Sequence, residues 1–299
     1  MKSAIVDIGL EWNDRKCSVV HVKRGVLQDR RDGMRLAEAE MIENLSEGSN
    51  YKFLGVLENV KQEDGLALEV AAKVYRKRLS VIWSRPLSDY NRVMATNQFA
   101  LPVMEYLMWT QTWPLDELQR LDRERRKVIS ESGGKHPLGS TASMYLPRRR
   151  GGRGLKSIEE QYKVINIKSA VEMHANNGKK IEMVRRFEER SEASGRRSLV
   201  KDAKKYAGEL GLHLNLVHPV PSGVIVDRNQ EIEGKKRGAW VKRAQKGKNA
   251  DELRAERWQG KVVVRRWEDE ECGTECFAWM SEWRTAPTHL VAGMQELYL

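Results

Sequence analysis

The sequence has few of the residues that build disulfide frameworks, metal centres or large aromatic cores. It contains three cysteines, six histidines and four phenylalanines among 299 residues. An odd and small number of cysteines excludes a disulfide-stapled secreted domain and agrees with a reducing compartment. No apolar run approaches the roughly 18 residues needed to cross a bilayer, and the N-terminus lacks the apolar segment of a signal peptide. We therefore expect an intracellular protein, in the nucleus or the cytoplasm, without a membrane partner.

The sequence also lacks recognisable catalytic and metal-binding motifs. Nothing in it resembles a phosphate-binding P-loop, a zinc deaminase signature or a nucleophile elbow. Cys272 and Cys276, with His289, come nearest to a metal site, but they supply three ligands where a closed zinc site takes four. Cysteines four residues apart on a helix also share one buried face. We predict no metal site and no cofactor in this chain.

Basic charge is what the chain has in excess. Its formal net charge is +11, its isoelectric point is near 9.5 and 32% of its residues are charged. Hydrophobic residues, at 40%, suffice for a core, while a mean hydropathy of -0.63 indicates a highly solvated helical protein. This balance favours nucleic acid or another anionic surface as the partner. The alternative is a helical interaction protein whose charge only keeps it soluble.

The apolar pattern predicts a mostly helical α+β fold. Apolar residues recur at every third or fourth position from Asp64 to Trp83, and basic residues occupy the other side of that helix. The spacing predicts a second helix from Asp89 to Leu107, interrupted by Pro102, and a third from Pro114 to Gly133. Arginines are concentrated in the second half of the third helix. A fourth helix is predicted from a capping box at Ser157 to Asn176. Short strands are expected at Cys17 to Val22 and at Tyr51 to Leu57, and a loop with a short helix at Asp29 to Glu47.

The second half of the chain gives weaker signals. Lys179 to Tyr206 alternates charge signs as one exposed helix would, and Leu212 to Val226 indicates a loop with a strand. Lys235 to Arg266 is basic, with Trp240, Trp258 and Trp267 interleaved. Tryptophans in such a segment serve either base stacking or the anchoring of helices.

The most distinctive stretch is the arginine-glycine loop, defined as residues 148–154. It holds Arg148, Arg149, Arg150, Gly151, Gly152, Arg153 and Gly154. Arginine presents a rigid fork of donors suited to phosphate oxygens, and glycine allows close backbone approach. The pattern therefore predicts a polyanion site, and the N-terminal amides of the helix that starts near Ser157 are expected to add a favourable dipole for phosphate. The alternative is a solvated basic turn between two helices.

Several motifs in order give the first 175 or so residues a resemblance to a known family. They are Tyr51-Lys-Phe-Leu-Gly55-Val, Asn97-Gln-Phe-Ala-Leu-Pro102-Val, Trp113-Pro114 before Asp116-Glu117-Leu118, Leu121-Asp122-Arg-Glu-Arg125-Arg126-Lys127, His136-Pro137, and Leu146-Pro147-Arg148 with Gly151-Gly152-Arg153-Gly154-Leu155. Together they resemble reverse transcriptases of non-LTR (LINE-type) retrotransposons, in the region that follows the catalytic core. The resemblance implies a palm remnant with a β-hairpin over 1–62, a helical thumb-like domain over 63–176 and a basic C-terminal region of uncertain fold over 177–299.

The resemblance also implies roles for particular residues. Lys16 falls where the family carries a lysine near the leaving pyrophosphate, although a surface lysine opening a strand is the plain alternative. Lys52 and Gly55 fall in the hairpin that grips the primer end, and the arginine-glycine loop is expected to contact the nucleic acid. The implied partners are RNA or an RNA-DNA duplex and, in a second reading, a separate chain carrying the polymerase palm.

The family's catalytic aspartates are missing. Its full-length members use Mg²⁺ held by carboxylates that include an adjacent aspartate pair, and this chain contains no Asp-Asp dipeptide. The fingers and most of the palm would precede Met1. We therefore expect a chain that binds a template-primer or RNA duplex without sequence specificity and does not polymerise DNA alone.

Overall fold

The computed structural model describes residues 17–24, 26–28, 34–37, 40–42, 44–45, 49–53, 55–58, 63–136, 139–216, 225–227, 230–232, 237–256, 259–268 and 277–297. The chain divides into two compact units. Unit 1 comprises Met1–Val70 with Thr110–Thr112, and unit 2 comprises Ala71–Trp109 with Trp113–Leu299. The helices of the predicted C-terminal region 177–299 thus belong to the same unit as most of the predicted thumb-like segment. No helix in the described ranges is long and apolar enough to cross a membrane.

Unit 1 contains short antiparallel hairpins. Its strands are β1 (Val22–Lys23), β2 (Val26–Leu27), β3 (Met34–Ala37), β4 (Glu40–Ile42), β5 (Tyr51–Phe53) and β6 (Val56–Glu58). They pair as β1 with β2, β3 with β4 and β5 with β6, and Val19 forms an isolated parallel bridge with Asn44. Gly55 turns the β5–β6 hairpin with φ +87°, which confirms the predicted glycine-interrupted strand.

Helices make up most of the rest of the chain. They are α1 (Asp64–Ser84), α2 (Asp89–Ala95), a π-helix (Thr96–Ala100), α3 (Pro102–Leu107), α4 (Leu115–Glu131), α5 (Ala142–Tyr145), a 3₁₀ turn (Arg148–Arg150), α6 (Ile158–Ala175), α7 (Lys179–Ala193), α8 (Leu199–Gly208), α9 (Arg237–Ala255), α10 (Gln259–Glu268), α11 (Ala278–Glu282) and α12 (Thr288–Leu297). Strands β7 (Leu212–Leu214), β8 (Ile225–Asp227) and β9 (Gln230–Ile232) form one antiparallel sheet. The prediction of a mostly helical α+β fold is confirmed.

Local signals explain where the helices begin and break. Ser88 caps α2, its Oγ accepting a hydrogen bond from the Asn91 amide at 3.3 Å. Pro102 interrupts the predicted helix as expected, because it offers no amide hydrogen to the preceding turn. The chain widens there into the π-helix, in which the Leu101 amide reaches back five residues to the Thr96 carbonyl at 3.0 Å.

Three expectations about local structure are wrong. Of the strand expected at Cys17 to Val22, only Val22 belongs to a strand, β1, and Val19 forms an isolated bridge. The segment Asp29 to Glu47 contains the β3–β4 hairpin where a short helix was expected, because pairing between strands overrides the helix propensity of its alanines and glutamates. Lys179 to Tyr206 forms two helices, α7 and α8, rather than one. The chain turns between them at Gly195, which has φ +68°.

Two groups of buried side chains hold the helices of unit 2. In the first, the rings of Trp113 and Tyr162 stack at 6.4 Å, and Tyr206 meets Tyr162 edge-on at the same distance. The second group joins α5 and the loop after it to the last four helices. Its members are Ala142, Leu146, Ala250, Leu253, Val263, Phe277, Met280, Ala286 and Val291. This second core lies directly under the arginine-glycine loop.

Candidate nucleic-acid interface

Two of the four loop arginines form ion pairs with one buried aspartate. Asp89, the first residue of α2, is fully buried and accepts Arg148 Nη1 at 2.7 Å on one carboxylate oxygen and Arg153 Nη1 at 2.5 Å on the other. Arg153 is only 2% exposed. Because both guanidinium groups neutralise an internal carboxylate, they are committed to the fold rather than presented to a ligand.

The same arginines fix the C-terminal helices. Arg148 donates from Nε to the Met280 carbonyl at 2.5 Å, and its guanidinium lies over the Tyr90 ring at 5.6 Å. Arg153 donates from Nε to Gln295 Oε1 at 2.9 Å, and Gln295 in turn donates to the Gly151 carbonyl at 2.8 Å. The arginine-glycine loop is therefore a joint between α2 and the end of unit 2.

Of the remaining loop arginines, only one faces solvent. Arg149 is exposed, whereas Arg150 places its guanidinium over the Trp267 ring at 5.1 Å and accepts the Trp267 indole N–H on its carbonyl at 3.2 Å. Trp267 thus anchors α10 to the loop. This is the helix-anchoring role considered for the tryptophans of the basic segment Lys235 to Arg266. The prediction that the loop binds nucleic acid stays a prediction, and the structure offers Arg149 for that contact.

The loop glycines are required by the protein's own packing. A Cβ on Gly152 would lie 2.2 Å from the Leu146 carbonyl oxygen, and one on Gly151 would meet the Phe277 ring at about 3 Å. Gly151 and Gly154 also have positive φ angles, +80° and +75°. The close backbone approach inferred from the sequence exists, but its partner is another part of the chain.

The N-terminus of α6, expected to offer its amides to phosphate, already holds an anion. Both oxygens of Asp122 accept the Ile158 amide at 3.0 Å, and Asp122 Oδ2 accepts the Ser157 hydroxyl at 2.6 Å. Asp122 also pairs with Arg125, which is 0% exposed and so does not belong to the basic face predicted for α4. An internal carboxylate takes the place that the sequence suggested for phosphate.

The other predicted site residues belong to other segments of the chain. Lys52 is exposed on β5 and Gly55 is in the following turn, both in unit 1. Lys16, Cys272 and Cys276 lie outside the described residues, and His289 is exposed on α12.

A groove between α6 and α9 is the main concave feature near the loop. The two helices run antiparallel, since Asn249 donates to Glu160 at the start of α6 while Gly238 lies against the Lys168 side chain two turns further on. Three cavities of about 410, 290 and 430 Å³ follow one another along it. We call them the acidic, middle and Trp109 cavities.

The charge along this groove is uneven. The acidic cavity is lined by the carboxylates Asp122, Glu159, Glu160, Glu252 and Glu256 and the cations Arg123, Arg126, Lys163 and Lys248. The middle cavity is lined by Lys156, Lys242 and Lys246 with one carboxylate, Glu160. Burial raises the pKa of Glu160 to about 7, so this carboxyl is only partly ionised at neutral pH. The groove is therefore most positive beyond the acidic cavity.

The lysines of that positive half influence one another. Burial lowers the pKa of Lys168, and the charges of Lys242 and Lys156 lower it further, while the carboxylates of Glu105 and Glu172 oppose this shift. Lys156 is 3.7 Å from Glu105, but its side chain remains 44% exposed. Four lysines from the loop before α6, from α6 itself and from α9 thus converge, and we call Lys156, Lys168, Lys242 and Lys246 the lysine cluster.

Part of this cluster could have been found in the sequence from the spacing of its lysines. Lys242 and Lys246 are four residues apart on α9 and share a face, whereas Lys156 and Lys168 are brought to them only by the packing of α6 on α9.

A search against protein-family models finds no match for this chain, and a search of curated proteins finds none either.

Proposed function

We propose that the chain binds the phosphate backbone of a nucleic-acid duplex, without reading its sequence, along the positive half of the groove. The observation that carries this proposal is that Lys156, Lys242 and Lys246 line the middle cavity, while Lys168, which lines the Trp109 cavity, is close enough for the charges of Lys242 and Lys156 to act on it. Like charges placed together without enough carboxylates to neutralise them cost free energy, and a polyanion relieves that cost.

The chemistry of the cluster favours backbone contacts over base contacts. Lysine ammonium groups are mobile point charges, whereas reading a base edge usually requires a bidentate arginine or amide fork. The exposed Arg149 would extend the contact, since Pro147 and Gly154, on either side of it in the chain, line the middle cavity. RNA or an RNA-DNA duplex remains our preferred ligand because of the resemblance to reverse transcriptases, and the thumb-like role and a palm-bearing partner chain remain part of that proposal.

A second candidate function rests on α7. This helix exposes Met183 by 73%, Val184 by 46% and Phe187 by 65%, and Met183 and Phe187 share one face. Large apolar side chains grouped on a solvent face are typical of protein interaction sites. These residues favour the alternative of a helical interaction module.

The test is the salt dependence of duplex binding by two fourfold variants. Replacing Lys156, Lys168, Lys242 and Lys246 with alanine should flatten the plot of log affinity against log salt by up to about 3.6 units on B-form duplex. The matched control replaces Lys179, Lys180, Lys201 and Lys205, four exposed lysines on α7 and α8, with alanine. An RNA-DNA hybrid is measured in parallel.

The two variants distinguish binding at a specific site from binding that depends only on the net charge of the chain. Equal loss of binding in both would show that overall charge alone explains the affinity. Unchanged binding in the cluster variant, together with loss of partner binding in a Phe187→Ser chain, would favour the interaction module. A fourfold arginine replacement in the loop is not a clean alternative, because Arg148 and Arg153 are part of the buried ion pair.

A further inference from the structure

The Trp109 cavity differs from the rest of the groove in having an apolar floor. It has a volume of about 430 Å³ and lies at the end of the groove where α9 begins. Its floor is formed by the buried side chains Ile167, Val171, Ile225 and Val241, each 2% exposed or less. A concave apolar surface of this size is within the range of small-molecule sites.

One wall of the cavity is an aromatic ring. Trp109 lies just beyond α3 and is 50% exposed, although tryptophan is the side chain that gains most from burial. An indole left half uncovered beside an apolar floor can take a planar aromatic ligand against its face.

The rim of the cavity is cationic. Lys168 and Arg237 line it, with Glu172 as the one carboxylate. The Nε of Arg237 is buried and has no hydrogen-bond partner within the described residues. The Lys168 side chain packs closely against Gly238, where a Cβ would lie 3.0 Å from Lys168 Cε. The cavity therefore combines an aromatic surface with two donors suited to a phosphate group.

We propose that the Trp109 cavity binds one nucleotide, with its base stacked on Trp109 and its phosphate held by Lys168 and Arg237. The proposal rests on the proposed function, in which a strand follows the lysine cluster, and it adds a position where an unpaired base leaves that strand. Glu172 accepts hydrogen bonds from the ribose hydroxyls or an exocyclic amino group of such a ligand, which favours a nucleotide over a simple anion.

The experiment uses three soluble probes in calorimetric titrations of the full chain. Adenosine monophosphate carries base and phosphate, ribose 5-phosphate lacks the base and adenosine lacks the phosphate. We expect the monophosphate to bind at least about fivefold more tightly than ribose 5-phosphate, because stacking adds to the phosphate contact. Equal binding of the two phosphates, or no binding of the monophosphate, would overturn the proposal.

Variants assign the contacts. Trp109→Ala should lower the affinity for the monophosphate by about 5-fold to 150-fold and leave ribose 5-phosphate unchanged, while Trp109→Phe keeps the binding. Lys168→Gln should weaken both phosphates equally. Trp283→Ala, which removes another half-exposed indole outside the cavity, is the control and should change nothing. A Trp109→Ala chain with unchanged affinity would show that the ring does not stack the base.

The failure of this proposal is distinguishable from that of the duplex site. A chain that binds duplex with the expected salt dependence but not the monophosphate would retain the duplex site and lose the nucleotide cavity. A chain that binds the monophosphate but no duplex would overturn the proposed function and leave the cavity as a site for free nucleotides.

Discussion

Two arginines five residues apart share one carboxylate in the interior of unit 2. Arg148 and Arg153 each take one oxygen of Asp89, whose side chain is fully buried. A buried ionic group of this kind gives little net stability when compared with a well-packed apolar core, but removing Asp89 would leave two buried guanidinium groups without an anion. Asp89 is thus the residue on which the conformation of the arginine-glycine loop depends.

Replacing Asp89 with alanine should destabilise the protein strongly. Two buried guanidinium groups would lose their anion, and breaking such a pair costs about 3 to 5 kcal/mol. The free energy of unfolding from urea titrations measures the effect. The control is Arg149→Ala, which removes an exposed loop arginine and should change the stability by less than about 0.5 kcal/mol. Similar values for the two variants would contradict the burial of the ion pair.

Glu160 should make the stability depend on pH near neutrality. Burial raises its pKa to about 7, above the ordinary value of 4.5, while a hydrogen bond from Asn249 opposes the shift. The folded state therefore binds a proton that the unfolded state releases, so this stabilising contribution is complete below pH 4.5 and is lost as the pH rises through 7. Unfolding free energies of the wild-type chain should fall by about 1 to 3 kcal/mol between pH 5 and 8 relative to Glu160→Gln. Parallel pH profiles would refute this assignment.

Residue partnerships of this kind could not be predicted from the sequence. Asp89 precedes its two arginines by 59 and 64 positions, and no local pattern links residues so far apart. The loop was recognised as unusual, but the same arginine and glycine content fits a phosphate site and an internal joint equally well. The distinction depends on where Asp89 and Gln295 lie after packing.

At the scale of elements, local signals located most helices correctly. Apolar periodicity gave α1, and Ser88, Pro102 and Ser157 marked where helices begin or break. Ser157 caps α6 as expected, although the Glu160 carboxylate accepts from Asn249. The β3–β4 hairpin was missed because its residues favour helices and only strand pairing overrides that preference.

Two glycines should respond to alanine in opposite directions. Gly152→Ala places a methyl group 2.2 Å from the Leu146 carbonyl oxygen, where the backbone cannot yield, and should cost about 3 kcal/mol or more. Gly247→Ala adds a methyl group to the interior of α9, where no atom lies within 4 Å, and should stabilise by about 0.5 to 1 kcal/mol. The stability of each variant relative to the wild type is measured by thermal unfolding. A Gly152→Ala chain as stable as the wild type would mean that the loop approaches Leu146 less closely than described.

For the whole molecule, net charge led to the proposal of an anionic partner but indicated no position for a binding site. The excess of +11 is spread over many surfaces, and internal carboxylates neutralise several of the arginines that the sequence made prominent. Lys242 and Lys246 belong to the basic segment recognised in the sequence, but their association with Lys156 and Lys168 could not be predicted, because these two come from other segments. Only the antiparallel packing of α6 and α9 brings them together.

The purified chain should show no polymerase activity by itself. With a primed RNA template, deoxynucleotides and Mg²⁺ or Mn²⁺, it should extend no primer, because no adjacent aspartates are present to hold the metal ions. Primer extension on a denaturing gel provides the measurement, with a commercial reverse transcriptase as the positive control. Template-dependent incorporation above the no-enzyme background would contradict the prediction.

The contacts of the arginine-glycine loop also have an order in time. A ribosome adds about 5 to 20 residues per second, so Asp89 emerges roughly 3 to 13 s before the arginines that neutralise it. Arg148 and Arg153 then precede Met280 and Gln295 by 132 and 142 positions, a further interval of about 7 to 28 s at the same rate. Ser88 and Asp89 likewise form their hydrogen bonds to Arg284 and Ala286 only after those residues, nearly 200 positions later, have been made. The nascent chain therefore carries an incomplete ionic joint from the synthesis of Asp89 until that of Gln295, and this part of the fold closes only after residue 295 has been made.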